Sequence, residues 1–227
     1  MLGTIVNAIA IIVGGFIGLL LKKGFPQKLS DAVMSGVALC VLYIGISGCL
    51  KGQNALITVI SIAVGAIIGT LLDLAGRLES LGLTVEKKFS KNRGSRVSIA
   101  EGFVSASLLF CVGAMAIMGS LQSGLTGNNE TLYTKSLLDF ISSIVFASSL
   151  GAGVLLSSIM VLLYQGTMTL LAGFLAPYLS DVVVAEMTCA GSILLIGLGL
   201  NMLKVTNIKV MNYVPAIFLP IILCLFM

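Results

Sequence analysis

The chain has 227 residues, of which 58% are hydrophobic and 10% charged, with a formal net charge of +4. A soluble domain needs about 25–35% charged residues on its surface, so this composition excludes one. Membrane helices of roughly 20 residues would fit seven or eight times, and the basic residues, which flank the apolar runs, act as topology determinants rather than as a nucleic-acid footprint.

The expected fold is therefore all-α: a polytopic transmembrane helix bundle forming one domain over residues 1–227, with the lipid bilayer as its main partner. In chain order, the first apolar run spans about residues 2–21, the second about 31–50 and the third about 55–75. A basic stretch follows at 76–98, with Arg77, Lys87, Lys88, Lys91, Arg93 and Arg96. The fourth span is expected at about 99–120 and a polar loop at 121–135. Residues 136–164 read either as one long helix or as two pieces broken at Ser148–Gly153. Gln165-Gly166 reads as a turn into a short sixth span at 166–179. The seventh span falls at about 181–203 and the eighth at about 210–226, which contains Pro215 and Pro220.

With eight spans and the N-terminus outside, eleven basic residues fall inside and only Lys51 and Lys135 outside. Seven spans move Lys204 and Lys209 outside, which leaves nine against four. The positive-inside rule favours the first arrangement and makes 76–98 a cytoplasmic loop. The chain is apolar from Met1 onward, and Lys22 and Lys23 come only after the first run. A signal peptide begins with a positive region, so a retained first helix is expected.

Internal similarity is visible. Residues 9–21 align with 60–72 at eight of thirteen positions, including Gly14 with Gly65 and Gly18 with Gly69. Cys40-Val41 with Gly48 echoes Cys111-Val112 with Gly119. Pro26-x-x-Leu29-Ser30-Asp31 echoes Pro177-x-Leu179-Ser180-Asp181. The first two echoes suggest a parallel duplication and the third an inverted repeat, a pattern of secondary transporters.

Gly14-x-x-x-Gly18 and Gly65-x-x-x-Gly69 are spacings that let helix backbones approach closely. They serve either packing within the chain or a homodimer. Asn7 shares the face of Gly14 and Gly18. Ionisable groups within a bilayer are functional candidates by default. Glu186 lies five residues into the seventh span on a face of small and polar residues that includes Asn201. Asp139 follows Lys135 by four residues, a spacing that supports a helix start and also places an acid within a span. Glu101 opens the fourth span, and Asp73 closes the third.

The five cysteines, Cys40, Cys49, Cys111, Cys189 and Cys224, lie inside apolar runs and read as free thiols. The chain has no histidine. That excludes a Ser-His protease, an HExxH zinc site and a mixed Cys/His zinc site. No GxxxxGK[ST] loop occurs, so ATP hydrolysis is not expected. Neither enzymatic activity, a resident metal nor a cofactor is expected.

Several stretches resemble a known family. They are Gly3-Thr4-Ile5-Val6-Asn7, Glu101-Gly102-Phe103, Phe110-Cys111-Val112-Gly113-Ala114-Met115-Ala116-Ile117, Lys135-Ser136-Leu137-Leu138-Asp139, Gln165-Gly166, Glu186, Gly197-Leu198-Gly199-Leu200-Asn201, Asn212 and Pro215-Ala216. Together they are similar to the bacterial integral-membrane family typified by YdfK and YqgA, domain of unknown function 554. The resemblance implies a multi-pass protein of the bacterial inner membrane and no established activity. It groups Asn7, Glu101, Asp139, Gln165, Glu186, Asn201 and Asn212 into one polar set. The expected function is a small transporter coupled to H⁺ or Na⁺ that moves a small solute. The alternatives are a channel-like pore and a non-transporting membrane subunit.

Overall fold

The computed structural model describes residues 1–22, 27–77, 80, 99–112 and 114–226. Most of the basic stretch 76–98 lies outside the described residues, as does Pro26 of the third echo. The described residues contain helices and no strand. We number the helices α1 (Leu2–Lys22), α2 (Gln27–Cys49), α3 (Ala55–Leu71), α4 (Ile99–Cys111), α5 (Ala114–Thr126), α6 (Glu130–Leu150), α7 (Gly153–Leu170), α8 (Ala172–Leu175), α9 (Asp181–Met202) and α10 (Leu219–Leu223). Short 3₁₀ segments occupy Ala176–Tyr178 and Val210–Ile217.

Among the described residues, three helices, α1, α7 and α9, are long and apolar enough to cross a membrane. A fourth passage is available if α4 and α5, bent by 60°, are taken together. The fourth sequence run is thus a broken helix rather than a straight span. Other apolar helices are shorter, at Met34–Cys49, Ala55–Leu71 and Val210–Leu223.

Residues 136–164 follow the second of the two sequence readings, a break within Ser148–Gly153, whereas the Gln165-Gly166 turn and the 166–179 span are corrected. α6 begins at Glu130 and ends at Leu150, and the chain reverses at Gly151-Ala152. Gly151 has φ 83° and ψ −155°, a region open essentially to glycine alone. The next helix continues through residue 170, so Gln165-Gly166 lies inside a helix and is not a turn. No separate span runs from 166 to 179. The eighth run is likewise not one α-helix: Val210–Ile217 is 3₁₀, with Pro215 inside it, where the missing N–H of proline interrupts an α-helical ladder. Lys135, expected in a loop, stands inside α6.

Packing follows the glycines. A Cβ on Gly14 would lie 2.5 Å from the Phe140 carbonyl oxygen and collide with the Ser143 hydroxyl, and one on Gly18 would collide with the Ile144 carbonyl oxygen. α1 therefore lies backbone to backbone along α6, in the same direction. On the other side of α1, Gly15 meets Leu155 and Asn7 meets Gln165, so α7 runs antiparallel to it. Gly65 and Gly69 bring α3 against Ala216 and Asn212. Both glycine seams are thus occupied within the chain. One end of the bundle carries the Gly127 turn; the opposite end carries the Gly151 reversal.

The distribution of polarity is inverted relative to a water-soluble globule. Thr4, Asn7, Ser61, Ser105, Gln165 and Glu186 are buried, while Phe16, Leu20, Leu71, Leu163 and Leu170 are exposed. A soluble protein places large apolar groups inside and polar ones outside. The buried apolar core still exists, with Phe110 and Phe146 in tilted contact at 6.5 Å.

Candidate functional site

The polar set separates into three places. In the first, close approach of α1 to α6 at the glycine seam lets the short Asn7 side chain reach across. Asp139 Oδ2 accepts from Lys135 Nζ at 2.6 Å and from Asn7 Nδ2 at 3.0 Å. Asn7 Nδ2 also lies 3.4 Å from Gln165 Oε1 on α7. Asn7 and Gln165 are fully buried, and Lys135 and Asp139 nearly so. Three helices thus converge on one ion pair shielded from solvent.

The hydrogen-bond directions in this cluster are linked. The Asp139 carboxylate must receive the amide NH₂ of Asn7, because turning that amide would set oxygen against oxygen. That fixes Gln165 with its oxygen toward Asn7. Asn7 Oδ1 and Gln165 Nε2 are left without partners, one acceptor and one donor.

Glu186 occupies a second place. Its Oε1 accepts from the backbone N–H groups of Gln53 at 2.6 Å and Asn54 at 2.8 Å, and its Oε2 from the Thr58 hydroxyl at 3.1 Å. Asn54 caps α3 by accepting from the Leu56 N–H at 3.0 Å. The carboxylate therefore closes the N-terminus of α3, where free N–H groups and the helix dipole favour an anion. Thr58 also approaches Cys189 Sγ at 3.5 Å, and that thiol donates to the Cys49 carbonyl at 3.3 Å. Among the described residues, no three Cys, Asp or Glu side chains gather as a metal site.

The third place is at the Gly151 end. Glu101, Ser105, Asn201, Asn207 and Lys209 help to line a cavity of about 400 Å³. Asn201 is fully engaged there. Its Nδ2 donates to the Ile208 carbonyl at 2.7 Å, and its Oδ1 accepts from Thr206 Oγ1 and the Ile208 N–H. Asn212, beyond the cavity, accepts from the Ala75 N–H at 2.9 Å and ties the turn after α3 to the 3₁₀ segment.

Residues 2–225 match the family model described as "Protein of unknown function (DUF554)". The chain belongs to this family. It is 31% identical over 224 residues to "Uncharacterized membrane protein YdfK" of Bacillus subtilis (strain 168), covering 97% of this chain and 94% of that protein. It is 30% identical over 220 residues to "Uncharacterized protein YqgA" of Escherichia coli (strain K12), covering 96% and 94%. No solved structure matches the chain.

The family resemblance drew the polar residues together as one set, but the fold unites only Asn7, Asp139 and Gln165. Glu101 and Asn201 share a cavity wall at the far end, while Asn212 and Glu186 each hold a helix end. Sequence reasoning placed Lys135 among loop residues and missed it as a buried partner. The Lys–Asp spacing of four was its only signal. Thr58 and the backbone donors at 53 and 54 gave none, because a helix N-terminus recruits an acid through space.

Proposed function

We propose that this protein is a membrane carrier that couples movement of a small solute to protons, with the Lys135–Asp139 pair as the proton-exchanging element. The observation that carries the reading is this ion pair, buried where α1, α6 and α7 meet. A buried charge pair is costly to form, and intramembrane acids paired with bases mark proton relays. Protonation of Asp139 frees Lys135 and changes what holds α6 to α1. That is a local charge change with two helices to move.

Lysine already occupies the cation position beside Asp139, which favours H⁺ over Na⁺ at this site. Glu186 leaves the ion-ligand set in this reading. Both its oxygens face donors, and a metal ion or proton would have to displace them. In this reading the chain makes eight passes through the cytoplasmic membrane with its N-terminus outside. The reversal at Gly151 turns the chain without basic residues, and the count of eleven inside is preserved. Lys135, which the charge count places outside, is buried in the first turns of α6 and paired with Asp139. The name of the Bacillus relative, a membrane protein, supports the same location.

The test is reconstitution into liposomes carrying an internal pH indicator, challenged with a panel of amino acids, organic acids, sugars and inorganic ions. A solute-dependent proton flux in the native protein, lost in Asp139→Asn and in Lys135→Gln while both variants stay folded, is the expected result. Unchanged flux in Asp139→Asn refutes the assignment. Unitary currents in a planar bilayer would instead indicate a pore, and stoichiometric co-purification of a second membrane protein with no flux would indicate a subunit.

A further inference from the structure

Resting on the carrier reading, a second set of groups lies next to the ion pair and is not used by it. Four buried polar atoms on α1 and α7 have no partner: Asn7 Oδ1, Gln165 Nε2, Thr4 Oγ1 and Thr169 Oγ1. Each residue is at least nine-tenths buried. Asn7 faces Gln165, and α1 and α7 run in opposite directions. Thr4 stands three residues before Asn7, and Thr169 four residues after Gln165. On helices that rise about 1.5 Å per residue, both threonines lie about one turn from the amides toward the Gly127 end. There, Asn129 Oδ1 accepts from the Gly3 N–H at 3.1 Å and from Ser123 Oγ at 2.7 Å. Thr4 and Thr169 thus stand at the next helical turn from Asn7 and Gln165 on the way to the polar loop.

Space is open at Gly166 on α7, one residue from Gln165. Gly166 is buried, yet a Cβ placed on it would meet only Met1 Cε, at 3.8 Å. Most other glycines of the bundle are closed by contacts under 3 Å. An unpaired acceptor, an unpaired donor and two hydroxyls that can do either, with adjacent space, match the bonding of water. Buried water typically makes about three such bonds and satisfies groups that are expensive to leave bare.

We propose that a short file of bound water molecules runs between α1 and α7 along Thr4, Asn7, Gln165 and Thr169, connecting Asp139 to the Gly127 end of the bundle. It is the route by which the ion pair exchanges protons with that side. Neither the amides nor the hydroxyls need to ionise. They hold water, and the proton passes along the water.

The test reads hydration directly and does not require transport. X-ray radiolytic footprinting of the native protein in micelles generates hydroxyl radicals from water next to the side chains they modify. Met168, one residue from Thr169 and 6% exposed, is expected to be oxidised at least several-fold faster than Met187, which is 1% exposed and belongs to the same buried core. Gly166→Ala, which fills the space, is expected to reduce that ratio. In parallel, Thr4→Val and Thr169→Val each remove a hydroxyl at nearly constant shape. If water is bound there, each lowers Tm by about 2–4 °C. Equal oxidation of Met168 and Met187, together with a raised Tm in both valine variants, means a dry interface and overturns the proposal. A hydrated interface with no solute-coupled flux would sink the carrier reading alone, and a dry one with intact flux would sink the water file alone.

Discussion

Removing the Glu186 carboxylate tests whether this residue is an anchor or an ion ligand. Glu186→Ala strips the acceptor from three donors, two of them backbone N–H groups at the start of α3. Hydrogen bonds to a charged group contribute about 1.5–3 kcal/mol each, and a buried donor left unpaired costs about 1–3 kcal/mol. The three are not additive, because the 53–54 turn can admit water once the side chain is gone. We therefore expect a loss of about 3–5 kcal/mol, or about 6–20 °C in Tm for a chain of this size. Glu186→Gln keeps Oε1 for the two N–H groups, and Thr58 can turn to accept. Only the attraction of the full charge to the helix end is lost, about 1–2 kcal/mol or about 2–8 °C. The assay is thermal unfolding in micelles at fixed detergent, followed by solute-driven proton flux in liposomes for any variant that stays folded. The anchor reading requires the graded order native, Gln, Ala in stability, with flux retained in the glutamine variant. An alanine variant as stable as the native protein, or a glutamine variant that folds normally and has lost all coupling, refutes it.

Four further outcomes are expected. Lys135→Met and Asp139→Asn should each destabilise by about 3–5 kcal/mol, because each leaves half a buried ion pair, and the double variant should recover much of that loss in a double-mutant cycle of melting temperatures. Gly69→Ala, whose Cβ would strike the Asn212 carbonyl, should cost about 1–3 kcal/mol. Gly36→Ala, with nothing within 4 Å, should instead gain up to about 1 kcal/mol from helix propensity alone, and parallel melts compare the two. Gly151→Ala should lose about 1–3 kcal/mol, because it forces a side chain onto the reversal between α6 and α7; denaturation in micelles reads it. Asn201→Ala removes three hydrogen bonds that hold residues 206–208, so limited proteolysis between 203 and 209 should accelerate while cleavage elsewhere keeps its native rate.

Much of the architecture was legible because bilayer-scale helices leave a strong one-dimensional signature. The apolar runs of α1, α2, α3 and α9 follow from composition and length, and the small-residue spacing of Gly14, Gly18, Gly65 and Gly69 announced close helix contacts. Which helix each seam meets was not legible. Residues 136–179 were the weak point. Gln165-Gly166 has the look of a turn, since both residues are unusual in an apolar run, yet the chain turns at Gly151. Both candidate breaks contain glycine, and local sequence cannot rank them.

The candidate site divides along the same line. The sequence by itself determined that Asn7, Asp139, Gln165 and Glu186 would lie within apolar surroundings, because each is flanked by apolar segments. It also determined that Lys135 stands one helical turn from Asp139. Only the tertiary structure decided that Asn7 and Gln165, 158 residues apart, complete that ion pair, and that Glu186 spends its charge on the N-terminus of α3. The physical reason is range. Burial and helical spacing are set by neighbours within a few residues, whereas a hydrogen-bond partner is chosen by which backbones pack close enough to let short side chains meet.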